Sequence, residues 1–379
     1  MQAVRMLRAS VAFVSTLIKS VFLRRRKIPP DSKPPRNLFL WLGLIIVVIG
    51  LFPAFVRGED SVALVGAGST VPLPLYSKWA QEFNQQRSGV IMQYQALGTS
   101  EGLRLISGSR DELGKGDFAA GEVLLTEAER SQGNLIELPA VMIAIVPVYN
   151  VPGVSQGLRF SGDLLAQIFL GHIKTWNAPQ IARLNAGVTL PSLPIKVIYR
   201  PGGKGTNYVF TDFLSKTSPE FRSQIGRSAS PKWPVGEPAE RSADMAERVK
   251  NQAGAIGYVE LQYAMGGNIQ SGSVQNQAGK FVKASAETIA AACKAVESPS
   301  WNKFAVSLTN APGAESFPIT SFSWLYLRTV SSDPARRAAL VKLLTWIFTS
   351  GQQIAVQQGY SQLPPQLLDK IRAKVTTMQ

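Results

Sequence analysis

The chain has 379 residues, 45% of them apolar and only 17% charged, which supplies material for more than one core and excludes a disordered polyelectrolyte. One cysteine, Cys293, excludes an intramolecular disulfide and a Cys-x-x-Cys metal site, and one histidine, His172, leaves a single imidazole for any Ser–His or Cys–His chemistry. The net charge of +15 is uneven, because residues 1–36 hold nine Lys/Arg against Asp31. The remainder lacks the basic stripe with interleaved aromatics that nucleic-acid binding requires, so no nucleic-acid partner is expected.

The basic residues 1–36 read as a cytoplasmic tail by the positive-inside rule. Behind them Leu38–Val56 is a run of 19 residues without a charge. That is about the length of a bilayer core at ~1.5 Å per residue. Residues 37–57 therefore read as a transmembrane signal anchor, with a cleaved signal peptide as the alternative. Either way, the chain after Arg57 is expected outside the cytoplasm, in the periplasm or an equivalent space. An uncleaved helix would tether it to the cytoplasmic membrane.

From Ser61 short β-type runs alternate with helical stretches, the pattern of α/β lobes. Val62–Val65 is apolar and leads into Gly68-Ser69-Thr70. Leu75–Gln86 carries Tyr76, Trp79, Ala80 and Phe83 at helical spacing. Val90–Leu97 reads as a strand ending in Gly98-Thr99-Ser100, and Glu101–Ser107 as a helix. Leu138–Tyr149 is a long β-rich run, Ser161–Leu170 is helical, and Ile195–Tyr199 is a strand entering Arg200 to Thr206. Asn207–Leu214 resumes as helix, and Ala255–Val259 and Phe317–Leu327 read as strands. Pro334–Ser350 reads as a strongly amphipathic helix ending at Gly351. Cys293, in an Ala-rich helical run, reads as a small buried hydrophobe.

Three strand-to-helix junctions share one composition: Gly68-Ser69-Thr70, Gly98-Thr99-Ser100 and Gly203-Lys204-Gly205-Thr206. Each places glycine and hydroxyl residues where a helix begins. The free amides and positive dipole end of a helix favour an anion there. A single such junction is ordinarily an N-cap. Three, with Arg200 beside the third, point to convergence on an oxyanion that the planar guanidinium can grip. The third junction is not a P-loop, because Gly205 separates Lys204 from Thr206.

These residues resemble the phosphate-binding proteins of phosphate ABC transporters. The likeness begins with Gly66 to Tyr76 followed by Lys78-Trp79. It continues through Tyr94 to Ser100, Gly116-Asp117-Phe118, Ile168 to Gly171 with Lys174-Thr175-Trp176, and Arg200 to Thr206. It closes with Lys232 to Gly236, Gly254 to Glu260, Phe317 to Thr320 and Gly359-Tyr360-Ser361. The resemblance implies a two-lobed periplasmic-binding-protein fold of α/β class, type II-like, with crossing hinge strands. Lobe 1 would comprise residues 60–142 and 314–379, and lobe 2 residues 143–313. It implies capture of inorganic phosphate, or a related oxyanion, for delivery to an ABC permease, with no catalysis and no cofactor. A membrane-anchored oxyanion sensor or scaffold is the alternative. By position it implies binding by Thr70 and the Val71 amide, by Thr99 and Ser100, and by Arg200, the Gly205 amide and Thr206. Glu122 would be the proton-accepting acid, and Lys204 an added contact.

Four positions depart from the family pattern. Glu122 stands where an aspartate is usual, Gly202 where an aspartate pairs with the arginine, Lys204 where a serine is usual, and Glu101 replaces a glycine. Two readings of Lys204 follow. Either it faces a more anionic or larger ligand, or it pairs with Glu101 or Glu122 while phosphate is still bound.

Overall fold

The computed structural model describes residues 61–107, 116–155, 157–296, 304–329 and 333–378. The basic tail and the apolar run Leu38–Val56 lie outside them. Among the described residues no helix is long and apolar enough to cross a membrane.

Among the described residues eleven strands are formed: β1 (Val62–Gly68), β2 (Val90–Gln95), β3 (Phe118–Gly121), β4 (Leu135–Tyr149), β5 (Arg159–Phe160), β6 (Lys196–Tyr199), β7 (Glu237–Pro238), β8 (Ala255–Glu260), β9 (Ser273–Gln275), β10 (Phe281–Val282) and β11 (Thr320–Arg328). Eight lie in one sheet, ordered β2-β1-β3-β11-β4-β8-β6-β7, and three in a second, ordered β10-β9-β5. The long sheet serves two lobes through a single strand. β4 has 15 residues, all but one buried, and spans about 50 Å at ~3.3 Å per residue. Leu135 to Ala144 pair antiparallel with β11, and Ile145 to Tyr149 pair antiparallel with β8. Between Ser323 and Trp324 the register shifts, leaving Ala140 of β4 as the extra, unpaired residue of a bulge. The chain returns beside the switch in β4, where the Ile145 amide donates to Ile319 O at 2.9 Å.

At one end of this sheet β1, β2, β3 and β11 gather with the first half of β4. Its parallel β1–β2 and β1–β3 pairs are joined by helices, as parallel pairs require. Trp79, on the helix Leu73–Gln85, is fully buried, stacks on Tyr76 at 5.0 Å and donates its indole N–H to Gly351 O at 2.7 Å. Asp117 fastens the sheet to the helix Pro334–Ile347. It accepts Arg336 Nε at 2.8 Å and Nη2 at 2.6 Å, and the Val65 amide at 2.7 Å. The Gly-Asp-Phe motif is thus a structural fastening. Towards the other end, around β8, Phe169, Phe210, Trp233 and Tyr258 form one aromatic cluster, with Phe210 stacked on Tyr258 at 4.2 Å.

The helix expected over Pro334–Ser350 differs from the sequence expectation. It stops at Ile347, and a second helix, Ser350–Gln357, contains Gly351. Its buried residues run round most of its circumference, because it packs on β1 and also against the helices Ser350–Gln357 and Pro365–Thr376. It is therefore not amphipathic. Gly351 serves close approach to Trp79 instead of ending a helix. β11 begins at Thr320, three residues later than expected, because Phe317 donates its amide to Thr288 O on the return passage. Cys293 is buried.

Candidate functional site

The three junctions meet. The first follows β1, where the Ser69 amide donates to Ala120 O at 2.8 Å. The second follows β2 and opens the helix Thr99–Ser107. Gly98 has φ +106°, a conformation that L side chains rarely adopt, and its amide donates to Gly68 O at 2.7 Å, clamping the first two junctions together. The third follows β6 and opens the helix Gly205–Thr217. Asn207 fixes this loop by donating to the carbonyls of Arg200, Pro201 and Ala229, while Tyr258 OH accepts the Arg200 amide at 3.1 Å.

Glu122, just past β3, sits where the junctions converge and is fully buried. Its Oε2 accepts Ser69 Oγ at 2.7 Å and Thr99 Oγ1 at 3.1 Å, and its Oε1 accepts Ser323 Oγ at 2.8 Å. Burial pushes its carboxyl up to about 7 against the opposing pull of these hydroxyls. The carboxylate also abuts the helix Gly205–Thr217. A methyl at Gly205 would collide with Glu122 Oε2 and lie 2.7 Å from Thr99 Oγ1. Only glycine permits that approach. The helix start is buried, and its N-cap residue, Lys204, makes no side-chain cap.

Arg200 lies opposite, with none of its surface exposed. Its Nη1 donates to Ser242 Oγ at 2.5 Å, and its Nη2 to Glu240 O at 2.8 Å and to Thr70 Oγ1 at 3.3 Å. The Thr70 contact joins the first junction to the third. Arg200 Nε is buried without a partner, and Arg200 forms no ion pair among the described residues. Glu260, at the end of β8, is the nearby acid. Its Oε1 accepts Ser242 Oγ at 3.1 Å and Thr206 Oγ1 at 3.3 Å, while its Oε2 has no partner. Burial raises the Glu260 carboxyl, with Arg200 opposing.

Of the residues expected from sequence, Thr70, Thr99, Glu122, Arg200, Gly205 and Thr206 are brought together and buried. The Val71 amide is engaged within its own turn, donating to Ser69 Oγ at 3.0 Å. Ser100 is exposed, and its amide donates to Gly203 O at 3.2 Å. Ser323, Ser242 and Glu260 escaped the sequence reading. Glu260 and Ser323 are polar residues at the end of and within largely apolar strands, whereas Ser242 stands in a polar run that gives no such signal.

A PBP superfamily domain model matches residues 56–350. The phosphate-binding protein PstS of Pasteurella multocida (strain Pm70) is 36% identical over 328 residues, spanning 86% of this chain and 94% of the relative. The chain belongs to the PstS phosphate-binding protein family. The PstS of Methanocaldococcus jannaschii is 27% identical over 355 residues, covering 86% of this chain and 91% of the relative. Among solved structures, a phosphate-binding protein from Stenotrophomonas maltophilia shares the fold with a TM-score of 0.63 at 18% identity, covering 83% of this chain and 94% of that one. An ABC-type phosphate transport receptor from Vibrio cholerae does so at 0.55 and 16%, covering 79% and 100%.

Within this PstS-family chain the expected pairing of Lys204 with Glu101 or Glu122 is corrected. Lys204 Nζ lies 3.3 Å from Glu240 Oε2. Glu101 is held within its own helical turn by Arg104, 2.8 Å from Nε, and Glu122 is enclosed by three hydroxyls. Gly202 is exposed, so no acid stands beside Arg200 from that position. His172 is on the surface, 3.0 Å from Glu220.

Proposed function

We propose that this chain captures inorganic phosphate outside the cytoplasm, in the cleft between its lobes, and delivers it to an ABC permease. The observation that carries this reading is Arg200. A buried guanidinium without a carboxylate partner is costly unless an anion completes it. Its unpartnered Nε and the uncapped helix start at Gly205 and Thr206 supply donors for that anion. Relatives named for phosphate binding support the choice of anion.

In this reading the Thr70 hydroxyl, Arg200 and the amides of Gly205 and Thr206 hold the phosphate oxygens, while the Thr99 hydroxyl supports Glu122. Glu122 accepts the ligand's proton. An ionised carboxylate offers about four acceptor positions, and three hydroxyls use three of them. Sulfate has no proton to offer at neutral pH and is rejected. Ligand favours the closed state by touching both lobes. Lobe 1 is taken as 60–142 with 314–379 and lobe 2 as 143–313, an assignment supported by the change of partner in β4 between Ala144 and Ile145. The N-terminal run is read as the membrane tether. The role is binding without catalysis. Among the described residues no cluster of His, Cys, Asp or Glu could hold a metal ion, and His172 pairs with Glu220 on the surface.

The test is calorimetry on the chain stripped of ligand by unfolding and refolding. Phosphate is expected to bind tightly at pH 8 while sulfate gives no heat. Silence toward phosphate would overturn the proposal.

A further inference from the structure

The floor of the cleft and its rim are built differently. Glu122, Thr99, Arg200, Gly205 and Thr206 are buried, whereas Ser100 and Gly202 are exposed. At this rim the lobes touch directly. The Ser100 amide of lobe 1 donates to Gly203 O of lobe 2 at 3.2 Å. A methyl at Gly98 would lie 3.2 Å from Gly203 O, 3.7 Å from Lys204 Cδ and 3.8 Å from Lys204 Nζ. The Lys204 stem, rising from lobe 2, is therefore laid across Gly98 of lobe 1. Its side chain is only 14% exposed, while its partner Glu240 is 71% exposed and pins the ammonium from the outside. A lysine covering apolar backbone with its head tied at the edge blocks access as well as adding charge.

We infer that Lys204, anchored by Glu240 and lying over Gly98, is a strap across the rim that slows ligand release and admits a free tetrahedral oxyanion in preference to a phosphate monoester. The inference rests on the phosphate-binding reading above. An ester substituent leaving the floor on this side would meet the Lys204 stem and the Ser100–Gly203 contact. The anchor carries a distinctive consequence. If Lys204 instead touched the ligand as a bare cation, freeing it from Glu240 would tighten anion binding. As a strap, it needs Glu240 to hold it in place.

The experiment uses the full-length chain and its Lys204→Ser and Glu240→Gln variants. It measures the release rate of inorganic phosphate and the affinities for phosphate and for glycerol 3-phosphate. Lys204→Ser is expected to speed phosphate release about tenfold, and Glu240→Gln about two- to fivefold, in line with an exposed ion pair and a packed stem. Both variants should move glycerol 3-phosphate affinity toward that of phosphate. Slower release from Glu240→Gln, or an unchanged ester-to-phosphate ratio in Lys204→Ser with phosphate still bound, would overturn the strap alone. Failure of the unmutated chain to bind phosphate would remove both this inference and the function it rests on.

Discussion

In the proposed division of the chain, the two lobes furnish the cleft with opposite kinds of chemistry. Lobe 1 brings hydroxyls that are already satisfied: Ser69, Thr99 and Ser323 all donate to Glu122. Lobe 2 brings groups that are not, with Arg200 Nε and Glu260 Oε2 buried and unpartnered beside an uncapped helix start. In the proposed function, lobe 2 captures negative charge, and lobe 1, through one carboxyl near neutrality, reads whether that charge carries a proton. Strength and selectivity are thereby assigned to different lobes and are separable by mutation.

The largest break in that division is Arg200→Ala. Removing a buried charged partner costs ~3–5 kcal/mol, so phosphate affinity should fall by about a hundredfold or more in titration calorimetry. Glu122→Gln acts on the other side. The Glu122 carboxyl at about 7 lies above its ordinary 4.5. The folded chain therefore holds more protons than the unfolded one between these values, and stability falls as pH rises through that window. Ligand-free Glu122→Gln should be more stable than the parent at pH 8, on the order of 3 kcal/mol, and equal to it near pH 4 by denaturant titration. It should also let sulfate bind. Glu137, likewise raised to about 7 by burial, leaves a residual slope in the variant.

A smaller change sharpens the contact between the lobes. Gly205→Ala sets a methyl against Glu122 Oε2 and Thr99 Oγ1, both of lobe 1, so it opposes closure. Alanine within a helix is otherwise favoured by up to ~1 kcal/mol. Phosphate affinity should drop about tenfold, ~1.4 kcal/mol. Thermal stability without ligand should hold or rise. Smallest is Arg336→Lys, which replaces the two-pronged grip on Asp117 by a point charge. Stability should fall by about 1 kcal/mol with phosphate affinity unchanged, since the grip lies in lobe 1 away from the cleft residues.

Much of this arrangement was legible in the sequence because it is local. A strand, a glycine, a hydroxyl and a helix start are neighbours in the chain, so three junctions could be read as three anion-facing ends. Arg200 and Glu122 were carried by motif. The supporting residues were not legible for the converse reason. Ser323 is 201 positions from Glu122, and Ser242 is 42 from Arg200. Nothing local marks which hydroxyl in an apolar strand will meet a carboxylate folded in from elsewhere. The partner of Lys204 was hidden on the same ground, since Glu240 stands 36 positions away beyond a loop. The Pro334 helix was misread because apolar spacing along the chain does not tell a helix covered on one side from one covered on several.

β4 carries a consequence for how this molecule denatures. Nine of its residues pair with β11 and the last five with β8, without a linker between. Neither lobe can melt without stripping an edge from its neighbour. The two halves that open and shut around a ligand should therefore lose their structure together, in a single calorimetric transition.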